Sequence, residues 1–137
     1  FGFPLQAAAA RCDSSALDHL LAAGAAINTS SGFYGTATQA SAAKGERGFV
    51  CLNLLLKAGA DPNIPLGYFY TPLQAASRAA HLPSIQKLLE AGADPSPERP
   101  GGPFGTPLHA ATAGGHVEAV RLLLEAGANK TMKARCG

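Results

Sequence analysis

Histidine and cysteine are the side chains in this sequence best suited to acid–base, nucleophilic or metal chemistry. His19 and His81 have no cysteine, serine or acidic partner at a recognisable spacing. Cys12, Cys51 and Cys136 are far apart and form no CxxC pair, so neither a disulfide framework nor a zinc site is indicated. We therefore expect no enzyme activity, no cofactor and no metal. The thiols would be structural, in a reducing compartment.

The composition is that of a globular chain with a small net charge. Of its 137 residues, 47% are hydrophobic and 15% are charged, which excludes a disordered chain. The formal net charge of +2 is too small to argue for nucleic acid or an anionic membrane as the partner. The longest apolar runs are far shorter than the roughly 20 residues that span a bilayer. We expect an intracellular protein, cytoplasmic or nuclear, that binds neither nucleic acid nor membrane.

The sequence contains a repeated unit, and its secondary structure would position any binding residues. An Ala-Gly-Ala triplet follows a leucine-rich run four times, at intervals of 35, 33 and 35 residues, with its glycine at Gly24, Gly59, Gly92 and Gly127. A Pro-Leu pair stands 20 residues before three of these glycines, at Pro4-Leu5, Pro72-Leu73 and Pro107-Leu108. The second unit has Ala37-Thr38 at that place, and its interval is 22 residues.

Each unit is predicted to fold as two short helices. Thr71 and Thr106 are well placed as N-caps, with Pro72 and Pro107 at the first helical position. The second helix carries apolar residues at spacings of three and four, such as Ile85, Leu88 and Leu89, or Val117, Val120, Leu123 and Leu124. The four glycines would end these helices in a left-handed conformation. Two helices of this size cannot bury their own apolar faces, so the four units are expected to stack.

These motifs carry a resemblance. T-P-L-Q-A-A, T-P-L-H-A-A and L-L-x-A-G-A-[DN] at a period of 33 to 35 residues resemble the ankyrin repeat over essentially the whole chain. The resemblance implies one all-α domain, 1–137, an ankyrin-repeat solenoid of stacked helix-turn-helix units with β-turn fingers. Its repeats lie near 1–31, 32–66, 67–101 and 102–137. It implies a non-catalytic protein-interaction module, in which His109 and His116 match structural histidines that tie helix ends and loops together.

Two insertions depart from the family pattern. Repeat 2 contains Lys44-Gly45-Glu46-Arg47-Gly48, a loop two residues longer than its counterparts, so its first helix is expected to be the least regular. Repeat 3 is joined to repeat 4 by SPERPGGPFG, again two residues longer, so one finger should protrude or be less ordered. The Gly-plus-aromatic fingers also resemble the alanine-rich ankyrin arrays of large fungal proteins.

The aromatic residues concentrate in the predicted fingers. The third position before the Pro-Leu column is aromatic in every repeat, at Phe1, Tyr34, Phe69 and Phe104. Regular recurrence favours rings that brace the fingers, because a column fixed by packing must recur. Phe33, Tyr68 and Tyr70 lie beside this column but do not recur in register. For these residues, binding to a partner is as good an interpretation as bracing.

The outward face of the first helices is the other candidate surface. Its positions are mostly alanine or glycine, including Ala7 and Ala10, which offers little hydrogen bonding. Arg11, Lys44 and Arg78 fall in nearly the same column and could face an acidic peptide or form a solvated rim. The predicted partner-binding residues are therefore Phe33, Tyr34, Tyr68, Phe69, Tyr70, Phe104, Arg11, Lys44 and Arg78.

Three functions are left open by the sequence. The first is a recognition module whose protein or peptide partner contacts the aromatic finger loops and the concave groove formed by the first helices. The second is a methyl-lysine or cationic-ligand reader, which needs three rings around one cavity and a nearby carboxylate such as Asp61 or Asp94. Otherwise Asp61, Asp94 and Asn129 are turn residues that satisfy backbone donors. The third, an enzyme, needs a pocket with convergent polar groups.

The two ends of the array lack the polar outer face that terminal repeats normally show. Repeat 1 starts with Phe1, Phe3 and Leu5, and repeat 4 ends with the internal pattern EAVRLLLEAGAN. We expect this chain to be part of a longer array or of a multidomain protein. Its partner could then be another domain of the same polypeptide.

Overall fold

The computed structural model describes residues 3–97 and 101–131, and there the chain forms eight short α-helices and one small hairpin. The first helices of the four repeats are α1 (Pro4–Ala10), α3 (Ala37–Ala43), α5 (Pro72–Ala79) and α7 (Pro107–Ala113). The second helices are α2 (Ser14–Ala22), α4 (Phe49–Lys57), α6 (Leu82–Glu90) and α8 (Val117–Glu125). The hairpin strands β1 (Ser30–Ser31) and β2 (Gly35–Thr36) are antiparallel, with Ser30 opposite Thr36.

The first helices begin at threonine caps. The hydroxyl oxygens of Thr71 and Thr106 accept the backbone N–H groups of Gln74 and His109, each at 3.2 Å. Pro72 occupies the first turn of α5, as Pro107 does in α7, and both predicted N-caps are confirmed. Thr36 caps α3 in the same way, although repeat 2 lacks the proline.

The second helices end at the predicted glycines. Gly24, Gly59, Gly92 and Gly127 have φ angles of 85°, 91°, 94° and 93°, in the left-handed region that favours glycine. After α4, the N–H of Gly59 donates to the carbonyl of Leu56 at 3.1 Å, and the N–H of Ala60 donates to that of Leu55 at 3.0 Å. This is the Schellman pattern, which satisfies the last carbonyls of the helix.

The helices stack in two layers, as the repeat pattern predicted. α1, α3, α5 and α7 pack against one another in order, and α2, α4, α6 and α8 form the second layer. Buried leucine, isoleucine and alanine side chains fill the space between the layers, among them Leu17, Leu55, Leu73, Ile85 and Leu123. The predicted all-α solenoid is confirmed. The apolar face of α8 is buried only in part, since Val117 and Leu124 are exposed.

The expectation that α3 is the least regular first helix is wrong. α3 has seven residues, like α1 and α7, and its cap is a complete capping box between Thr36 and Gln39. The inserted residues fold outside α3 instead, as a short 3₁₀ helix, Gly45–Gly48. Gly48 permits this turn because a β-carbon there would collide with the backbone carbonyl of Ser41. The other insertion, in SPERPGGPFG, lies partly outside the described residues. Phe1 and Cys136 lie wholly outside them.

Ser41 in α3 buries a hydroxyl group that forms no hydrogen bond within the described residues. Its side chain is fully buried, and its hydroxyl has no hydrogen-bond partner among the described residues. The other repeats carry alanine at the matching helix position, at Ala8, Ala76 and Ala111. An unpaired buried hydroxyl costs free energy that a methyl group does not.

Replacing Ser41 with alanine is therefore expected to raise the free energy of unfolding by about 1 kcal/mol. Ser77 provides the matched control, because its buried hydroxyl donates to the carbonyl of Leu73 at 2.7 Å. Ser77→Ala is expected to be neutral or to lower stability. Urea unfolding of the two variants beside the parent measures both effects. A loss of stability in Ser41→Ala would contradict this interpretation.

Candidate functional site

A buried column of glutamine side chains holds each finger against the next. The side-chain oxygen of Gln39 accepts the backbone N–H of Thr36 at 2.6 Å. Its amide nitrogen donates to the carbonyls of Tyr70 at 2.9 Å and Ile64 at 3.3 Å, and also to that of Leu66. Gln39 is fully buried. One side chain thus joins its own helix cap to the finger of the following repeat.

Gln6 and Gln74 repeat this arrangement in the flanking units. Gln6 accepts the N–H of Phe3 at 2.7 Å and donates to the carbonyl of Gly35, while Gln74 donates to that of Gly101 at 2.8 Å. The sequence interpretation above did not include this column. The signal that could have found it is T-x-x-Q, the capping-box pattern, at Thr36-Gln39 and Thr71-Gln74.

A second series of hydrogen bonds between repeats runs through the turns that follow the second helices. The carboxylates of Asp61 and Asp94 accept the N–H groups of Asn63 and Ser96, at 2.9 and 2.8 Å. The side-chain oxygen of Asn63 accepts the N–H of Asp94 at 2.8 Å, linking one repeat to the next. Asn129 accepts the N–H of Thr131 at 3.0 Å. The predicted turn role of Asp61, Asp94 and Asn129 is confirmed.

Four rings from the fingers of repeats 2 and 3 form one cluster, Phe33, Tyr34, Tyr68 and Phe69, which we call the aromatic surface. Phe33 stacks on Tyr68 with ring centroids 4.7 Å apart and an interplanar angle of 15°. Tyr34 meets Phe33 edge-on at 5.2 Å, and Phe69 meets Tyr68 edge-on at 5.1 Å. Offset stacking and edge contacts are the favoured arrangements of aromatic rings.

The aromatic surface combines exposure with rigid support. Phe33 is 57% exposed and Tyr68 is 45% exposed, whereas the column residues Tyr34 and Phe69 are half-buried. The backbone N–H of Tyr68 donates to the carbonyl of Phe33 at 2.6 Å, so the two fingers are joined directly beneath the stacked rings. Tyr34 and Phe69 therefore pack between the two fingers, and Phe33 and Tyr68 face solvent.

Tyr70 and Phe104 lie apart from the aromatic surface. The ring of Tyr70 packs against the next finger, where a β-carbon at Gly101 would stand 2.5 Å from it. Tyr70 therefore covers the repeat 4 finger, which argues against its predicted role in binding. Phe104 is half-buried, with the guanidinium carbon of Arg78 5.8 Å from its ring centroid.

The three predicted cations lie at the C-terminal ends of first helices. The Nζ of Lys44 lies 5.3 Å from the ring centroid of Tyr34, so it touches the aromatic surface. Arg11 and Arg78 are exposed. Ion pairs within residues 3–97 and 101–131 are confined to α6 and α8, between Lys87 and Glu90 and between Arg121 and Glu118. Among these residues, no carboxylate lies within salt-bridge distance of Arg11, Lys44 or Arg78.

The histidines mostly bond to nearby structural groups. His19 Nδ1 lies 2.7 Å from the carbonyl of Ser15, and His109 Nδ1 lies 2.7 Å from the Thr106 hydroxyl. The family role of His109 is thus supported. His116 Nε2 has no hydrogen-bond partner in the described part of the chain.

One histidine has a serine partner that the sequence interpretation did not find. His81 Nδ1 lies 2.7 Å from the Ser84 hydroxyl, three residues along at the start of α6. Such a pair could in principle activate a nucleophile. Ser84 is fully buried, however, so a substrate cannot reach its oxygen. The contact stabilises the first turn of the helix.

Cys51, one of the two cysteines in the described residues, is buried. Burial raises the pKa of the Cys51 thiol, with smaller contributions from Cys12 and Asp13, so the thiol stays protonated and unreactive. No cluster of three or more histidine, cysteine or acidic residues that could hold a metal ion occurs within the described ranges. Cys51 is part of the apolar core around Leu17 and Leu55.

Comparison with known proteins now adds to this geometry. None of the helices in residues 3–97 and 101–131 is long and apolar enough to cross a membrane. No curated protein gives a significant match to the sequence. A family model described as ankyrin repeats, in three copies, matches residues 5–99, and a model of the single ankyrin repeat matches residues 105–135. The chain therefore belongs to the ankyrin repeat family, whose members are generally protein–protein interaction modules and typically non-catalytic.

Proposed function

We propose that this chain is a non-catalytic recognition module that binds a protein or peptide through the aromatic surface. The observation that carries the proposal is the stacked pair of Phe33 and Tyr68, both well exposed yet fixed by the hydrogen bond between their fingers. Aromatic side chains dominate the energetics of protein interfaces, and rings held rigid in advance lose little entropy on binding. Exposed rings of this kind are typical anchors.

The column residues of the cluster support the pair. Tyr34 and Phe69 are half-buried and touch Phe33 edge-on, at centroid distances of 5.2 and 6.2 Å. Their contacts limit the rotamers open to Phe33. We propose that Tyr34 and Phe69 set the shape of the surface and that Phe33 and Tyr68 contribute most of the contact area.

The ring geometry disfavours the alternative of a methyl-lysine or cationic-ligand reader. A cage needs open ring faces around a cavity, but Phe33 and Tyr68 stack on each other at 4.7 Å. The face of Tyr34 is already occupied by the ammonium group of Lys44. The two carboxylates proposed for the cage, Asp61 and Asp94, are engaged with backbone N–H groups of their own turns. A positive ligand would also be repelled by Lys44.

The described residues also offer little support for an enzyme. A catalytic site requires a nucleophile or general acid within reach of a substrate, and its pKa is commonly perturbed. Ser84 and Cys51, which have the relevant chemistry, are both buried in the stack. We propose an intracellular binding role without catalysis, with a protein partner rather than nucleic acid or membrane.

The test compares three baits in a capture experiment from lysate of the source cells. Proteins retained by the parent are expected to be lost, by about 30-fold for a partner that uses both rings, when Phe33 and Tyr68 are changed to serine. Val117→Ser is the matched control, because it also removes an exposed apolar side chain, 74% exposed, but from α8. Circular dichroism must show that all three baits keep the same helical signal.

Two outcomes would contradict the proposed function. One is equal retention of the same proteins by the parent and the Phe33→Ser/Tyr68→Ser variant. The other is loss of those proteins from the Val117→Ser bait alone, which would move the binding surface to the end of the array.

A further inference from the structure

A groove beside the aromatic surface has the size and lining of an anchor pocket. It lies between α1 and the finger of repeat 2, with a volume of about 270 Å³, and its main walls are Ala7, Ala10, Phe33 and Tyr34. Gln6, Ser31 and Gly32 complete its lining. A cavity of about 150 Å³ lined by apolar side chains is already enough to bind benzene, so this groove can accept a bulky apolar side chain.

The groove is flanked by positive charge. Lys44 places its ammonium group over the ring of Tyr34, which is one of the walls. Arg11 follows Ala10 directly and is exposed. Neither cation has a carboxylate within salt-bridge distance among the described residues, where the ion pairs lie on α6 and α8. The nearest acidic residue along the chain to Lys44 is Glu46, which is exposed on the 3₁₀ helix.

An apolar groove next to cations that have no carboxylate partner among the described residues is complementary to one kind of ligand. We infer that the groove binds an acidic peptide segment, with a leucine-sized or phenylalanine-sized side chain in the pocket and flanking aspartate or glutamate residues opposite Lys44 and Arg11. This inference rests on the proposed function and names the partner's chemistry. The apolar residue supplies the buried area, and the carboxylates select the peptide and steer its approach.

The choice of a peptide over a small cationic or polar ligand follows from the same features. The walls offer few polar groups, so a small hydrophilic molecule would find little to bind in the groove. A cationic ligand would be repelled by the ammonium group of Lys44. An extended peptide instead can place one side chain in the pocket and continue along the exposed rings of Phe33 and Tyr68.

The experiment uses a displayed library of random twelve-residue peptides, selected on the full chain, and measures the affinity of the enriched peptides by fluorescence anisotropy. Enriched sequences are expected to share a bulky apolar residue with aspartate or glutamate beside it. Lys44→Glu is expected to weaken their binding about tenfold, since one charge is reversed near the ligand. Ala7→Leu, which fills the pocket from an exposed helix position, should weaken it by a similar factor.

Lys57→Glu is the matched control, because it makes the same change of charge at an exposed position of α4. It is expected to leave the affinity within about twofold of the parent, since charges far from the ligand are screened. Enriched peptides without acidic residues, equal effects of Lys44→Glu and Lys57→Glu, or no enrichment at all would each overturn the inference. So would tighter binding of a single-stranded DNA oligonucleotide than of the peptides.

The result also separates this inference from the proposed function. If the enriched peptides lose affinity on Phe33→Ser/Tyr68→Ser but ignore Ala7→Leu, the aromatic surface is the binding site and the groove is not. If none of these substitutions changes the affinity of the enriched peptides, both proposals fail.

Discussion

Replacing Gln39 with leucine is expected to lower the free energy of unfolding by about 3–4 kcal/mol, the largest effect of any single substitution considered for this protein. The side chain is fully buried and satisfies the N–H of Thr36 together with carbonyls of the following finger, including that of Tyr70. Leucine has a similar volume but neither donates nor accepts. Each buried group that it leaves unpaired costs about 1–3 kcal/mol, and these costs are not fully additive.

Urea unfolding followed by circular dichroism measures the effect, with Gln86→Leu as the control. Gln86 is exposed on α6, so the same chemical change there should alter stability by less than about 0.5 kcal/mol. A loss below about 1 kcal/mol for Gln39→Leu would show that the hydrogen bonds between fingers contribute little. The fingers would then be held by the aromatic contacts instead.

Replacing Gly67 with alanine is expected to lower the free energy of unfolding by about 3 kcal/mol, although this glycine is exposed. Its φ angle is +79°, where any side chain strains the backbone. A β-carbon would also stand 2.6 Å from the backbone nitrogen of Gly35 and 2.7 Å from the carbonyl oxygen of Tyr34. The fingers of repeats 2 and 3 would have to separate, and the Phe33–Tyr68 stack would open with them.

Gly59→Ala is the control that isolates the steric part of this effect. Gly59 has a φ angle of +91°, but a β-carbon there would have no atom within 4 Å. Its substitution should cost only the backbone strain, about 1–2 kcal/mol. Thermal or urea unfolding compares the two variants. Equal losses would mean that the fingers do not approach as closely as described, and the rigid support of the aromatic surface would be in doubt.

Much of the fold was predictable because its signals are local. A threonine followed by proline specifies a helix start at Thr71 and Thr106, since one side-chain oxygen and a fixed φ angle satisfy the first turn. Gly24 and its three counterparts specify the helix ends through a single backbone angle. The period of these signals then implies stacking, because no single pair of helices can cover its own apolar face.

The proposed binding surface was less predictable because it depends on contacts between repeats. Spacing alone grouped Tyr70 with Phe33 and Tyr68, yet the ring of Tyr70 packs against Gly101 of the next finger. The regularity of α3 was also missed, since the inserted residues fold into a separate 3₁₀ helix. The hydrogen bond between His81 and Ser84 was not predicted, because a serine at a helix start usually caps the helix and does not bond to a histidine side chain.

By itself, the sequence determined the repeat, the positions of the helices, the family and the column of aromatic residues before the Pro-Leu pair, since each is read from local motifs and their spacing. Only the tertiary structure decided which rings remain exposed, that Phe33 and Tyr68 stack across two fingers, and that Lys44 lies over Tyr34 beside an apolar groove. The stack and the groove join residues of neighbouring repeats. They depend on how closely neighbouring fingers approach, and that distance is set by Gln39, Gly35 and Gly67 acting together.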